Sequence, residues 1–288
     1  MLLGYIGLGL MGKPSARHLM KAGHKLHIWA RKPDKIQDLL QEGAVFCSSP
    51  ADVAGKVEML FTNLTNADDV REVLLGSNGA VSGAEPGLIV VDMSSISALA
   101  TREIAKELAA KGINFVDAPV SGGTSGAEKG SLTFMVGASE EVFEKVKTVV
   151  AAMASKVTRI GDIGAGQAAK SCNQIIITGT LAAIAEAYKL AQAMNIDAEK
   201  VREALLGGLA YSKTLELGGL KMLKTDYSPG FKTNLHLKDL GIVSDLAKEL
   251  EISLPVTNIG LKLLQEAVQA GHSEKDSSII YEIVNKNR

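Results

Sequence analysis

The chain has 288 residues, which suits two domains or one large domain, and its 46% hydrophobic and 22% charged residues are typical of a globular protein. A formal net charge of −1 gives no overall attraction to nucleic acid or to an anionic membrane surface. Two cysteines far apart in the chain and five histidines without ligand spacing favour neither a disulfide framework nor a metal centre. We find no membrane-spanning run and no signal peptide, so we expect a cytoplasmic protein.

The first predicted strand, Leu3–Ile6, leads into a glycine-rich turn and then into a stretch with helical spacing. In a strand–turn–helix unit, the first glycine permits the sharp turn, the second lets the backbone approach a pyrophosphate, and the third lets the helix pack closely on the strand. Unpaired N–H groups at the start of the helix also favour phosphate. The pattern therefore predicts a dinucleotide-binding turn. The residues of this turn are Gly7, Leu8, Gly9, Leu10, Met11 and Gly12.

The end of the second predicted strand, Lys25–Trp29, indicates which nicotinamide cofactor is preferred. A carboxylate at this point binds the ribose 2′-hydroxyl of NAD, whereas cations bind the 2′-phosphate of NADP. Here the strand is followed by Ala30, Arg31 and Lys32. Lys35 lies one turn further on, and these cations favour NADP over NAD. A solvated basic turn without a ligand is the alternative interpretation.

Short β-rich runs alternate with helical stretches through the first half of the chain, which predicts a mostly parallel sheet covered by helices on both faces. The further strands are predicted at Met59–Asn63, Leu88–Asp92, Asn114–Asp117, Thr133–Val136 and Val157–Ile160. The helices between the strands are predicted at Lys13–Ala22, Pro33–Glu42, Ala67–Leu75, Ala98–Lys111 and Glu140–Ala152. Ligands of such a sheet bind beyond the carboxyl ends of the strands.

The segment Asp117–Gly123 combines a strand end, a stiffening proline and the sequence Ser121-Gly122-Gly123. Its exposed backbone N–H groups and its single hydroxyl suit a carboxylate, and no large side chain blocks the approach. An ordinary tight turn is the alternative interpretation.

After about Ile163 the predicted strands stop, and Gln167–Met194 forms one long predicted helix that is apolar on more than one side. Lys170, Asn173 and Gln174 share one face at its start, just beyond a glycine-rich bend. A lysine in this setting either exchanges protons as a general acid or base or extends its ammonium to solvent. The polar neighbours favour the first role.

Four further helices complete the chain, and one of them carries a charged pair on its apolar stripe. These helices are predicted at Ala198–Leu206, Thr214–Leu223, Thr233–Glu249 and Pro255–Ala270. Lys238 and Asp239 lie along the stripe, and buried charges need partners. They either stabilise helix packing or reach a polar cavity, and the sequence favours neither.

These segments, in this order, resemble the β-hydroxyacid dehydrogenase family, which includes 3-hydroxyisobutyrate dehydrogenase. The resemblance covers nearly the whole chain. It rests on Ile6–Pro14, Asp92–Ser95, Asp117–Gly123, Gly164–Lys170 and Lys238-Asp239. It implies an α/β N-terminal Rossmann-type domain at 1–162 and an all-α C-terminal domain at 163–288, joined by the long helix. It also implies homodimers or homotetramers assembled through the helical domains, which bind a small molecule. The near-neutral charge and the lack of a spanning run predict no nucleic-acid or membrane partner.

The resemblance further implies NAD(P)H-dependent reduction of a short semialdehyde that bears a carboxylate. Within the family the chain is most similar to the branch that reduces tartronate semialdehyde to glycerate. Lys170 would be the catalytic acid and base. The substrate would be held by Ser121, Gly122, Gly123, Asn173, Gln174 and Lys238. The nicotinamide side of the cofactor would be lined by Leu64, Thr65, Ser95, Phe231 and Lys238.

Other substrates and one other class of function remain open at the level of sequence. 3-Hydroxyisobutyrate, succinic semialdehyde and glyoxylate all offer a carboxylate to the Ser-Gly-Gly turn, so the turn does not separate them. A non-catalytic cofactor-binding scaffold is the alternative outside the enzymes. The presence of Lys170 with its polar neighbours argues against a scaffold, since an inactive relative would be free to lose that lysine.

Overall fold

The computed structural model of the protein describes residues 1–284 and contains two compact units, Met1–Lys170 and a second that begins at Ser171. The boundary between the units lies inside one long helix, α8 (Ala165–Ala193). Among the described residues, none of the helices has both the length and the apolar character that a membrane crossing requires.

A mostly parallel sheet forms the centre of the first unit, as the sequence predicts, and it has nine strands where seven are predicted. The strands run in the order β3-β2-β1-β4-β5-β6-β8-β7, with β9 beside β8. Pairing is antiparallel at β6–β8 and β7–β8 and parallel elsewhere. The strands are β1 (Leu2–Ile6), β2 (Lys25–Trp29), β3 (Val45–Phe46), β4 (Met59–Thr62), β5 (Ile89–Asp92), β6 (Asn114–Asp117), β7 (Val120–Ser121), β8 (Leu132–Gly137) and β9 (Ala154–Gly161).

Helices cover both faces of this sheet, and each face has its own apolar cluster. Leu3 and Tyr5 of β1 belong to one cluster, whereas Ile6 belongs to the other, because successive side chains of a strand point to opposite faces. Burial on both faces explains the continuous apolar strands. The helices are α1 (Gly12–Lys21), α2 (Gln37–Gln41), α3 (Pro50–Ala54), α4 (Ala67–Leu75), α5 (Ala98–Ala109), α6 (Gly123–Lys129) and α7 (Glu140–Val150).

The carboxyl ends of five parallel strands lie side by side. The register pairs Ile6 with Trp29 on one side and with Thr62 on the other. Thr62 is paired with Asp92, and Asp92 is paired with Asp117. The loops that follow these strands therefore emerge along one edge of the sheet, which is where ligands of this fold bind.

Several short elements are absent from the sequence-based prediction. Strands β3 and β7 have two residues each, too few to show alternation. The helix predicted at Pro33–Glu42 is a 3₁₀ turn over Pro33–Ile36 followed by the short helix α2. Helix α3 has a recognisable start, because the Ser49 hydroxyl accepts a hydrogen bond from the Asp52 N–H and Pro50 occupies the first turn.

Helices are the regular elements found among the described residues of the second unit, and the predicted combination of a Rossmann-type and an all-α domain is confirmed. Its core joins α8 to the later helices through Tyr188, Met222, Leu240 and Ile280. Gly260 of α12 permits close packing, since a Cβ there would lie 2.5 Å from Thr178 Cγ2. The helices after α8 are α9 (Ala198–Leu206), α10 (Lys213–Lys224), α11 (Thr233–Glu249), α12 (Pro255–Gln269) and α13 (Ile280–Ile283).

Candidate active site

Each of the three glycines between β1 and α1 is suited to its position for a different structural reason. Gly7 has a φ of +98°, and a Cβ there would lie 2.2 Å from the carbonyl oxygen of Asn63. A Cβ at Gly12 would lie 2.0 Å from the carbonyl oxygen of Gly7. At Gly9, apart from its two chain neighbours, no atom of the described residues comes within 4 Å of the Cβ position, so the backbone there faces open space. This cradle fits the pyrophosphate of a dinucleotide.

Helix α1 begins directly behind this cradle. Its N-cap residue is Met11, whose side chain makes no capping hydrogen bond. The leading N–H groups and the positive end of the helix dipole remain suited to a phosphate. The turn residues Leu8 and Leu10 are partly buried and exposed, respectively.

An ion pair lies at the end of β2, in the predicted ribose region. Arg31 Nη1 is 3.1 Å from Oδ1 of Asp69, an α4 residue that the sequence analysis did not single out. The Arg31 side chain is 69% exposed and that of Asp69 is 22% exposed. Lys32 and Lys35 are exposed on the same connection, and Ala30 is half-buried.

A buried carboxylate joins the loops that follow β4 and β5. Asp92 is fully buried, and its Oδ1 accepts hydrogen bonds from the hydroxyls of Thr62 at 2.8 Å and Ser94 at 2.6 Å. The backbone N–H of Leu64 in turn donates to Ser94 Oγ at 2.8 Å. This network fixes the two loops that carry the predicted nicotinamide residues. Those residues are Leu64, Thr65 and Ser95.

A second buried carboxylate, Asp117 at the end of β6, holds the start of α8. Its Oδ1 accepts a hydrogen bond from the N–H of Gly164 at 2.7 Å, and its Oδ2 accepts one from the N–H of Gln167 at 2.9 Å. Burial raises the pKa of Asp117 to about 6 despite these two hydrogen bonds, and the nearby charge of Asp92 also acts to raise it. Gly166 is required here, because a Cβ would lie 2.8 Å from Asp117 Oδ2.

Gln167 ties the same helix to the loop after β5. Its Nε2 donates to the carbonyl oxygen of Ser94 at 2.7 Å, and its Oε1 accepts from the N–H of Ile96 at 3.2 Å. Both Gln167 and Asp117 therefore fix the first turn of α8. Lys170 follows three residues later on this helix.

Lys170 lies beside the predicted carboxylate turn. Its Nζ donates to the carbonyl oxygen of Val120 at 3.1 Å, one residue before Ser121. Gly122 has a φ of +132° and Gly123 a φ of +60°, both in the range that favours glycine. Helix α6 begins at Gly123. Lys170, the predicted general acid and base, therefore lies next to the predicted carboxylate-binding turn, and both belong to the first unit.

The polar residues predicted in the second unit form one chain of contacts. Asn173 Nδ2 donates to Gln174 Oε1 at 2.7 Å, and Gln174 Nε2 donates to Asp239 Oδ2 at 3.0 Å. Asp239, only 6% exposed, also pairs with Lys238, whose Nζ is 2.8 Å from Asp239 Oδ1. This chain links α8 to α11 and gives the buried carboxylate the partners it needs.

The segment before α11, which carries Phe231, is fixed by Asp276. Oδ2 of Asp276 accepts from the N–H groups of Gly230 at 2.9 Å and Phe231 at 3.0 Å and pairs with Lys221 Nζ at 3.2 Å. Its Oδ1 accepts from the hydroxyl of Ser278 at 2.8 Å. Burial acts to raise the pKa of Asp276, but these partners outweigh burial and hold it below its usual range.

A Rossmann-type unit with a phosphate cradle, followed by a helical unit, is an architecture found among nicotinamide-dependent oxidoreductases, and the family models place the chain in that class. A family model described as the NAD binding domain of 6-phosphogluconate dehydrogenase matches residues 2–161. A second, described as NAD-binding of NADP-dependent 3-hydroxyisobutyrate dehydrogenase, matches residues 164–284.

Relatives match the chain over almost its whole length. It is 40% identical to the 2-hydroxy-3-oxopropionate reductase of Escherichia coli (strain K12), covering 97% of this chain and 96% of that protein. It is 36% identical to the 2-(hydroxymethyl)glutarate dehydrogenase of Eubacterium barkeri, covering 98% and 94%. The structure of Mycobacterium tuberculosis 3-hydroxyisobutyrate dehydrogenase with L-serine matches with a TM-score of 0.91 at 28% identity, covering 99% of this chain and 100% of that one.

The chain belongs to the β-hydroxyacid dehydrogenase family of NAD(P)-dependent oxidoreductases. The family and the class of enzyme predicted from the sequence are confirmed.

Proposed function

We propose that this enzyme uses NADPH to reduce tartronate semialdehyde to glycerate, with Lys170 as the general acid. The observation that carries the proposal is the position of Lys170 Nζ, 3.1 Å from the carbonyl oxygen of Val120 and so beside the turn Ser121–Gly123. An ammonium next to a turn of exposed donors suits a substrate that carries a carboxylate close to its carbonyl group.

The phosphate groups of the cofactor would be held by the β1–α1 turn and by the cations after β2. The backbone at Gly9 is open to a pyrophosphate, and α1 presents its N-terminus there. Arg31, with Lys32 and Lys35 nearby, would attract the 2′-phosphate of NADP and so supply the preference over NAD.

The nicotinamide would lie at the loops fixed by Asp92, next to Leu64, Thr65 and Ser95. When bound, it supplies the hydride that reduces the carbonyl carbon. For Phe231 and Lys238 a cofactor role rests on the family resemblance.

In the proposed reaction the Ser121 hydroxyl and the N–H groups of Gly122 and Gly123 bind the substrate carboxylate. Lys170 donates a proton to the carbonyl oxygen as it becomes an alkoxide and takes that proton back in the reverse direction. A correctly placed general acid contributes roughly 10²–10⁴-fold to the rate. Asn173 and Gln174, whose side chains are hydrogen-bonded to each other, would orient the carboxylate.

Similarity to 2-hydroxy-3-oxopropionate reductase supports the choice of substrate. The carboxylate turn suits 3-hydroxyisobutyrate, glyoxylate or succinic semialdehyde equally well. The relative that binds L-serine supports a short ligand with a carboxylate and a hydroxyl group, but it does not separate these compounds. We assign dinucleotide binding to a domain at 1–162, which also carries the carboxylate turn, and the further substrate contacts and homo-oligomer assembly to a helical domain at 163–288.

The test is an absorbance assay in which the three carbonyl compounds are reduced with NADPH and NADH in parallel, and 3-hydroxyisobutyrate is oxidised with NADP⁺ and NAD⁺ in parallel. We expect the largest kcat/KM with tartronate semialdehyde and NADPH. Lys170→Ala should lose about 10²–10⁴-fold in kcat while its affinity for NADPH, measured by fluorescence titration, stays unchanged.

Lys129→Ala, an exposed lysine at the end of α6, serves as the matched control and should retain activity. Near-normal turnover by Lys170→Ala would show that the assigned role is wrong. Cofactor binding without turnover of any compound would favour the scaffold.

A further inference from the structure

We propose that Asp69 sets how strongly the enzyme prefers NADP over NAD, because its carboxylate competes with the 2′-phosphate for the guanidinium of Arg31. The inference rests on the proposed role of Arg31 in binding that phosphate. It assigns to an α4 residue a share of a specificity that the sequence pattern places at the end of β2 alone.

The geometry of the pair supports competition. Arg31 Nη1 lies 3.1 Å from Asp69 Oδ1, so the cation proposed for the cofactor is engaged by an anion of the protein. Asp69 belongs to the first turn of α4, where its backbone N–H is held by Asn66 Oδ1 at 2.8 Å. With 69% of its side chain exposed, Arg31 is the partner that can turn towards a ligand, while Asp69 stays with its helix.

The chemistry of the two ligands gives the competition a direction. A carboxylate and a phosphate use the same donors of a guanidinium, so the 2′-phosphate has to displace Asp69 and also meets its like charge. The 2′-hydroxyl of NAD is uncharged, so it neither has to displace Asp69 from Arg31 nor is repelled by it. A carboxylate in this region is also the kind of hydrogen-bond acceptor that NAD-binding sites use. Asp69 therefore weakens NADP binding relative to NAD binding.

The expected size of the effect is modest, because the pair is partly exposed and screened by salt. Replacing Asp69 by Asn should raise the ratio of NADP to NAD affinity about two- to fivefold. The gain should shrink at high ionic strength.

The experiment measures the dissociation constants of NADP⁺, NAD⁺ and adenosine 2′,5′-bisphosphate with the full chain, which needs no knowledge of the carbonyl substrate. The variants are Asp69→Asn, Arg31→Ala and their combination. Asp68→Asn is the matched control, because Asp68 is exposed in the same first turn and the change removes the same charge.

We expect Asp69→Asn to strengthen NADP⁺ and bisphosphate binding, Asp68→Asn to have a smaller effect, and the gain to be reduced in the Arg31→Ala background. Equal effects of the two Asp variants, or weaker NADP⁺ binding by Asp69→Asn, would overturn the proposal and leave the role of Arg31 intact. If Arg31→Ala leaves the ratio of NADP⁺ to NAD⁺ affinity unchanged, both this inference and the proposed role of Arg31 in the cofactor preference are wrong.

Discussion

Asp117 is a fully buried carboxyl group whose two oxygens accept hydrogen bonds from two backbone N–H groups at the start of α8. Burial raises its pKa from 3.8 to about 6, so its surroundings favour the neutral form more than water does. The group that anchors the Lys170 helix therefore changes charge close to neutral pH.

The titration of Asp117 has a definite effect on stability. Because its pKa is higher in the folded protein than in the unfolded chain, the neutral carboxyl stabilises the fold fully below about pH 3.8, and this contribution is lost as the pH rises through about 6. The free energy of unfolding of the wild type relative to Asp117→Asn should fall by about 2–3 kcal/mol between pH 4 and 7.

Urea unfolding of both proteins at several pH values measures this difference. The amide NMR shifts of Gly164 and Gln167 give a direct control, because both N–H groups donate to Asp117 and should titrate with a midpoint near pH 6. A midpoint near pH 4 would contradict the prediction.

The roles of some of these residues can be predicted from the sequence, and those of others cannot. The glycine turn is recognisable because Gly7, Gly9 and Gly12 act within one local strand–turn–helix unit. Asp117 and Gln167 are 50 positions apart, so no local pattern shows that they meet. Asp69 also lies far along the chain from Arg31, and a carboxylate in the first turn of α4 suggests only a favourable helix start.

At the scale of elements, the start of α8 depends on a glycine in close contact with backbone. A Cβ at Gly166 would lie 2.4 Å from the carbonyl oxygen of Met135 and 2.7 Å from that of Asp117. Because these backbone atoms cannot move away as a flexible side chain can, the helix would have to shift. The glycines in this region serve the packing of the helix that carries Lys170.

Gly166→Ala should therefore lower the free energy of unfolding by about 1–3 kcal/mol through overpacking. Gly241→Ala is the matched control within α11, since its Cβ position has no described atom within 4 Å apart from its chain neighbours and the nearby backbone of its own helix. It should stabilise the protein by about 0.5–1 kcal/mol through helix propensity. Urea unfolding measures both, and equal effects would show that the Gly166 contacts do not matter.

Long elements are predictable here because their apolar residues repeat with a clear period. Helix α11 has the predicted bounds Thr233–Glu249, and β2 has the predicted bounds Lys25–Trp29. The short helix α6 has no such period, and its start is set by the backbone conformation at Gly122. The sequence therefore shows the Ser-Gly-Gly turn but not the helix that follows it.

At the scale of the whole molecule, each unit has its own apolar core. The single tryptophan of the chain, Trp29, lies at the end of β2 in the first unit, directly before Ala30 and Arg31. Its fluorescence therefore reports unfolding of the unit to which cofactor binding is assigned.

NADP⁺ at about 100 times its dissociation constant should stabilise the unfolding transition seen by Trp29 by about 2.7 kcal/mol, because it binds the folded state alone. NAD⁺ at the same free concentration should have a smaller effect if its affinity is lower. Arg31→Ala should reduce the NADP⁺ effect more than the NAD⁺ effect. A cofactor-independent transition would contradict the assignment of the cofactor to this unit.

Asp276 stands only eight positions before the end of the described chain, yet it fastens the segment that leads into α11. The segment around Asp276 therefore helps to hold the structure of the second unit. An early stop codon or proteolytic trimming that removed this carboxylate would release the residues around Phe231 and leave Lys221 without its counter-ion, so any shortened version of the protein has to extend at least through Asp276.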